Sequence, residues 1–151
     1  MKTYVLTLSH SFPANHKKHG IPTYFKEKFF GTPGMIRKIH TIRANYALWR
    51  KRFEKIAAGE ACLSVREWTG APYRSKQKEL ARLTREDGIG IQCLDIANLY
   101  GCDRYIVDGY DVALFHLATN DGLSPNDWLD WFKAYDKTKN LAIIHFTPFR
   151  Y

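Results

Sequence analysis

Tyr4, Leu6 and Leu8 alternate with Thr3, Val5 and Thr7 at the start of the chain, and this period of two predicts a strand. His10, Pro13, Asn15, Gly20 and Pro22 punctuate residues 10–22 as a loop. A short helix is predicted from Tyr24 to Phe30, closed by the turn Gly31-Thr32-Pro33-Gly34, and Lys38 to Arg43 reads as a brief strand. Asn45 suits the N-cap of a helix that ends at Gly59, with Trp49, Phe53, Ile56 and Ala57 on one face and Arg50, Lys51, Arg52 and Lys55 mostly elsewhere. Alternation returns from Ala61 to about Trp68, until Gly70 and Pro72 interrupt it.

Further strands are predicted over 76–83 and 89–96, on either side of the polar turn Arg85-Glu86-Asp87-Gly88. Asp111 to Thr119 suits a helix. Ser124-Pro125-Asn126-Asp127 combines an N-cap, a first-turn proline and an acidic third position that open another. Trp128, Trp131, Phe132 and Tyr135 form the apolar face of that helix, and Leu141 to Thr147 closes the chain as a strand. Strands in two groups with helices between them, and no βαβ rhythm, predict an α+β fold on a mostly antiparallel or mixed barrel-like sheet. A length of 151 residues suits a single domain over 1–151 that can bury a core without disulfide or metal staples.

Charge adds a polarity that the hydrophobic pattern does not contain. The formal net charge is +8, but residues 1–90 carry 18 Lys and Arg against 7 Asp and Glu, a balance of +11, while residues 91–151 carry 5 against 8, a balance of −3. An uneven basic field favours polyanionic partners: nucleic acid, nucleotides or an acidic surface. The cysteines at 62, 93 and 102 are odd in number and far apart, matching neither a disulfide framework nor a zinc knuckle, so a reducing, cytoplasmic location is expected. Residues 1–9 lack the apolar core and cleavage site of a signal peptide, and no apolar run reaches spanning length, so no membrane partner is expected.

Familiar catalytic signatures are missing. Gly88-Ile89-Gly90 begins a dinucleotide fingerprint, but Cys93 stands where its third glycine belongs. His10, His16, His19 and His40 fit no standard zinc spacing, so neither a metal nor a cofactor is assigned. The informative stretch is Lys38-Ile39-His40-Thr41-Ile42-Arg43, a Lys-x-x-Thr-x-Arg motif ahead of a basic helix and a strand. Together with Asn120-Asp121-Gly122-Leu123-Ser124 before the Trp/Phe-rich helix and the closing strand, it resembles the ASCH domain family, over roughly residues 36–147.

The resemblance implies a PUA-like mixed β-barrel with flanking helices, associated with RNA. In small members with amidohydrolase activity on acetylated cytidine, the motif's Lys and Thr and a later acidic residue are catalytic. By motif position these fall on Lys38, Thr41 and Asp121, the last one methylene shorter than the family's Glu. The segment at about 10–37 is longer than in those compact enzymes and is expected to reshape or cover the pocket. In an unbroken strand Lys38 would point away from Thr41 and Arg43, so it is expected on a bend or before the strand.

The run from Arg66 to Gln77 interleaves aromatic and basic side chains across a turn. Trp68 and Tyr73 are suited to stack on a base while Arg74 and Lys76 hold phosphate. The expected function is therefore binding of RNA or a modified nucleotide or nucleoside in a basic cleft, with Lys38, Thr41, Arg43 and Asp121 at the pocket. Amide hydrolysis in the same pocket is the alternative, and a protein-interaction module docking through the Trp/Phe-rich helix is a third.

Overall fold

In the computed structural model, which describes residues 1–151, the elements follow in the order β1 (Lys2–Leu8), α1 (Phe25–Phe30), β2 (His40–Arg43), α2 (Tyr46–Ala57), β3 (Ala61–Trp68), β4 (Gln77–Leu83), β5 (Gly90–Leu99), β6 (Cys102–Val107), β7 (Tyr110–Val112), α3 (Leu114–Asn120), α4 (Pro125–Phe132) and β8 (Leu141–His145). The fold is α+β, as the alternating patterns predict. The local signals act as expected at several ends. The Asn45 side chain accepts from the Leu48 N–H at the start of α2, and Ser124 Oγ accepts from Asp127 N with Pro125 in the first turn of α4.

The strands do not close into the expected barrel. They form a three-stranded sheet, β1-β3-β4, in which β1 and β3 run parallel, and an antiparallel five-stranded sheet in the order β2-β8-β5-β6-β7. β1 and β2 are edge strands of their own sheets and share no ladder. Between them a side chain takes the place of backbone pairing: Arg43 on β2 donates from Nη2 to the Thr7 carbonyl on β1, at 2.7 Å. The seam left open there is where the site lies.

Residues 100–113 also depart from the expected pattern. Instead of a helix from Asp111, β6 and β7 extend the large sheet as a meander, and α3 begins at Leu114. The two connections are Tyr100-Gly101 and Asp108-Gly109, with all four residues at positive φ. Two-residue hairpin turns of this kind match the right-handed strand twist and favour Gly at the second position.

The core is one cluster that joins both sheets. Leu6, Leu63 and Val65 from the small sheet meet Leu94, Val107 and Ile143 from the large one, with Trp49 and Phe53 of α2 and Trp128 of α4 packed among them. Five successive residues at the start of β3 and all five of β8 are buried, because each strand is central in its sheet and covered on both faces. Ala57, expected on the apolar face of α2, is exposed at the helix end. Trp128 and Phe132 are buried, so α4 turns much of its aromatic face into the protein rather than toward a partner. No helix is long and apolar enough to cross a membrane.

Candidate functional site

Lys38 lies just before β2, in the extended lead-in rather than in the strand, which frees it from the strand's alternation. Its ammonium is buried and donates to Asp121 Oδ1 at 2.6 Å and to the Asp121 carbonyl at 2.7 Å. The Phe25 ring sits under it, 4.1 Å from Nζ to the centroid. Asp121 is held by the C-terminal end of α3, where its N–H returns to Leu117 and Ala118. Gly122 follows at φ +81, a conformation L side chains rarely adopt, and a Cβ there would lie 3.2 Å from that of Lys38. The Asp-Gly turn therefore lets the lysine stem pass close to the backbone.

Burial works against both charges. It pulls the Lys38 amine down to about 8, with Asp121 opposing the shift and Arg43 and Lys28 adding to it. It raises the Asp121 carboxyl, opposed by Lys38 and Arg43. The Trp128 indole also favours the carboxylate, without closing a hydrogen bond to it.

Thr41 is buried on β2, opposite Ile144 of β8. Its hydroxyl accepts from Arg43 Nη1 at 2.9 Å, the two residues sharing a strand face as their spacing predicts. Lys38, Thr41, Arg43 and Asp121 line one small cavity with Phe25 and Trp131. Its free space of about 10 Å³ holds a single water-sized group.

A larger cleft of about 690 Å³ adjoins this cavity, and Ser9, Arg43 and Trp131 line both. Trp68 and Tyr73 form one side of it, their ring centroids 5.2 Å apart, with Tyr73 90% exposed at φ +62. Arg74 and Lys76 are exposed on the same turn and do not line the cleft. The opposite part of the lining comes from residues 9–20, within the long segment expected to reshape the pocket. His16 pins this strap to α4: Nε2 donates to the Asp127 carbonyl at 2.9 Å and Nδ1 accepts from Lys18 N at 3.0 Å. Both ring nitrogens are thus used in the protein.

Several residues escape sequence reasoning. Lys28 donates from Nζ to the Gly122 carbonyl at 2.8 Å and adds a second ammonium behind the Asp-Gly turn. His40 is buried on the far side of Asp121, its unpartnered Nδ1 4.0 Å from Oδ1 and its Nε2 2.7 Å from the Tyr151 hydroxyl, which also accepts from Asn120. Only the position of His40 inside the Lys-x-x-Thr-x-Arg motif could have marked it. Trp131 on α4 and Tyr135, which lies beyond the end of that helix rather than on its face as predicted, are half-buried and line the cleft.

No family model, curated protein or solved structure matches the chain.

Proposed function

We propose that the chain is an ASCH-like domain of PUA-like character that binds RNA or a modified nucleotide or nucleoside in the cleft between the Trp68–Tyr73 turn and the 9–20 strap. The observation that carries this reading is the convergence of Lys38, Thr41, Arg43 and Asp121 on one cavity beside an aromatic-walled cleft. A cleft of about 690 Å³ lies within the range of small-ligand sites, roughly 300–1,000 Å³. Aromatic faces supply stacking, and the buried polar groups supply directional recognition. Titrating nucleosides, nucleotides and a short single-stranded RNA while following tryptophan fluorescence and heat tests it. Binding with quenching supports the reading, and no binding by any of them at low salt overturns it.

Amide hydrolysis in the same pocket is the second reading, favoured by one observation: the Thr41 hydroxyl hydrogen has no acceptor in the protein, while the Lys38 amine is lowered to about 8. Thr41 Oγ would bond to the acyl carbon as Lys38 takes its proton. The carbon–nitrogen bond breaks, the amine leaves with that proton, and water then releases the acid from the ester. Incubation with N4-acetylcytidine and measurement of free acetate tests this, with Thr41→Ala as the control.

A further inference from the structure

The charge on the chain and the charge in the cleft do not coincide. The chain as a whole is strongly basic, yet among all the residues lining the cleft Arg43 is the only Lys, Arg, Asp or Glu. The rest of the lining is aromatic, small or polar, including Phe12, Trp68, Tyr73, Trp131 and Tyr135, together with the imidazoles of His10 and His19. A strand of RNA is held by several cations along its backbone, because each phosphate contact contributes separately. This cleft offers one permanent cation, Arg43.

That one cation is set for an incoming anion. Arg43 donates from Nη1 to Thr41 Oγ1 and the Ile42 carbonyl, and from Nη2 to the Thr7 carbonyl. A guanidinium has five donors, so the Nε–H and one Nη2 hydrogen remain without a protein acceptor, on the edge geometry that suits a two-oxygen contact. Nε is not among the unpartnered buried atoms, Arg43 lines both the cavity and the cleft, and it forms no ion pair, although burial lowers its pKa and the nearby Asp121 carboxylate opposes that shift. Its neutral acceptors fix the side chain in place without cancelling its charge. The adjoining cavity has the same imbalance, with the Lys38 and Arg43 cations against the single Asp121 carboxylate.

Resting on the binding reading above, we infer that the cleft takes a single nucleotide carrying one phosphate, with the phosphate seated on the free edge of Arg43 and the base among the aromatic side chains. Lys51 and Lys55, exposed on α2, lie outside the cleft.

Calorimetric titration of the full chain with the four common ribonucleosides, their 5′-monophosphates, inorganic phosphate and an unphosphorylated hexaribonucleotide tests this. At least one monophosphate should bind about tenfold or more tightly than its nucleoside, the scale of a charge-assisted contact pair. The hexanucleotide should bind no better than that monophosphate. Arg43→Lys should reduce the phosphate preference and Arg43→Gln abolish it, while Lys51→Gln with Lys55→Gln leaves it unchanged. Equal affinity for nucleoside and monophosphate overturns the inference and leaves the binding reading standing. Tighter binding of the hexanucleotide overturns the single-nucleotide limit in favour of an RNA strand. No binding by any probe overturns the reading itself. The comparison of ligands on the unaltered protein decides the matter even where an Arg43 variant fails to fold.

Discussion

The buried ammonium of Lys38 bonds both the carboxylate and the backbone carbonyl of Asp121, 83 positions further along the chain. This double contact ties the lead-in of β2 to the end of α3. Ile39 N donates to the Asn120 carbonyl at 2.9 Å beside it, so backbone and side chain hold the same two segments together. A buried ion pair is a weak source of net stability, because desolvation offsets the attraction. Its value here is positional: it places an amine and a carboxylate at the base of a cavity.

Removing one partner should therefore cost more than removing both. Asp121→Asn or Lys38→Met alone leaves a buried charge without its counterion and should destabilise by about 3–5 kcal/mol. The double variant should recover a substantial part of that loss. Urea denaturation of the four proteins measures the coupling, and additive single losses would show that the pair is not coupled.

The amide-hydrolysis reading has a definite pH dependence. Lys38 accepts a proton only as the neutral amine, and its pKa is lowered from 10.5 to about 8, so turnover should rise with pH and level off above about 8. The stability effect has a related sign. A cation whose folded pKa lies below its unfolded value carries its burial cost in full at low pH, and that cost is relieved as pH rises from about 8 toward 10.5. Acetate release from N4-acetylcytidine against pH checks the first statement, and a profile flat across pH 7–9 would contradict it.

Two buried histidines should make the fold sensitive to acid. His145 donates from Nε2 to Gln92 Oε1, its Nδ1 has no partner, and burial beside Arg150 lowers its pKa to about 3. His40 is also held well below the ordinary value by burial, with His145 and Lys38 nearby. Each binds a proton more readily when unfolded, so stability present above pH 6.5 is lost as pH falls below it, for His145 down to about 3, at roughly 1.4 kcal/mol per pH unit for each fully shifted group. The denaturant midpoint should be lower at pH 5 than at pH 7. His145→Asn should flatten the slope.

The C-terminal aromatics should separate into two classes. Trp128 is 1% exposed and packs on Tyr105 and Phe132, so Trp128→Ala should cost about 3–5 kcal/mol. Trp131 is half-buried at the junction of cavity and cleft, so Trp131→Ala should cost less stability and weaken nucleotide binding. Thermal melts and titrations on both variants distinguish the roles.

Arg74→Ala combined with Lys76→Ala should leave affinity for a nucleotide in the cleft within about twofold, because neither side chain lines it. Binding of a longer RNA at low salt should weaken through the lost surface charge. A large loss of mononucleotide affinity in this variant would show that the exposed turn folds over the ligand.

Local chemistry makes most of the elements legible in the amino-acid sequence. Asn45 and Ser124-Pro125 mark helix starts, and Leu6 and Leu8 mark the inward face of β1, because capping and side-chain alternation depend on neighbours a few residues away. The β6–β7 hairpin is legible in principle from Asp108-Gly109, but the apolar residues after it look equally like the first turn of a helix. That ambiguity is resolved by β6, which is itself held in the sheet by β5 and pairs residues 110–112 on its other edge.

For the candidate site, sequence alone determined the residue types and two of their relations. Thr41 and Arg43 share a face because strand side chains alternate, and Lys38 stands outside the strand because it could not otherwise join them. Only the tertiary structure decided that Asp121 meets Lys38, that Arg43 bridges two unpaired sheet edges, and that Arg74 and Lys76 stay outside the cleft. It also decided that the two sheets remain separate along the β1–β2 seam. The physical reason is range: alternation and capping are set by bonds along the chain, whereas ion pairs, open seams and cavities depend on where distant segments pack, and hydrophobic burial drives that packing without encoding direction in any single residue.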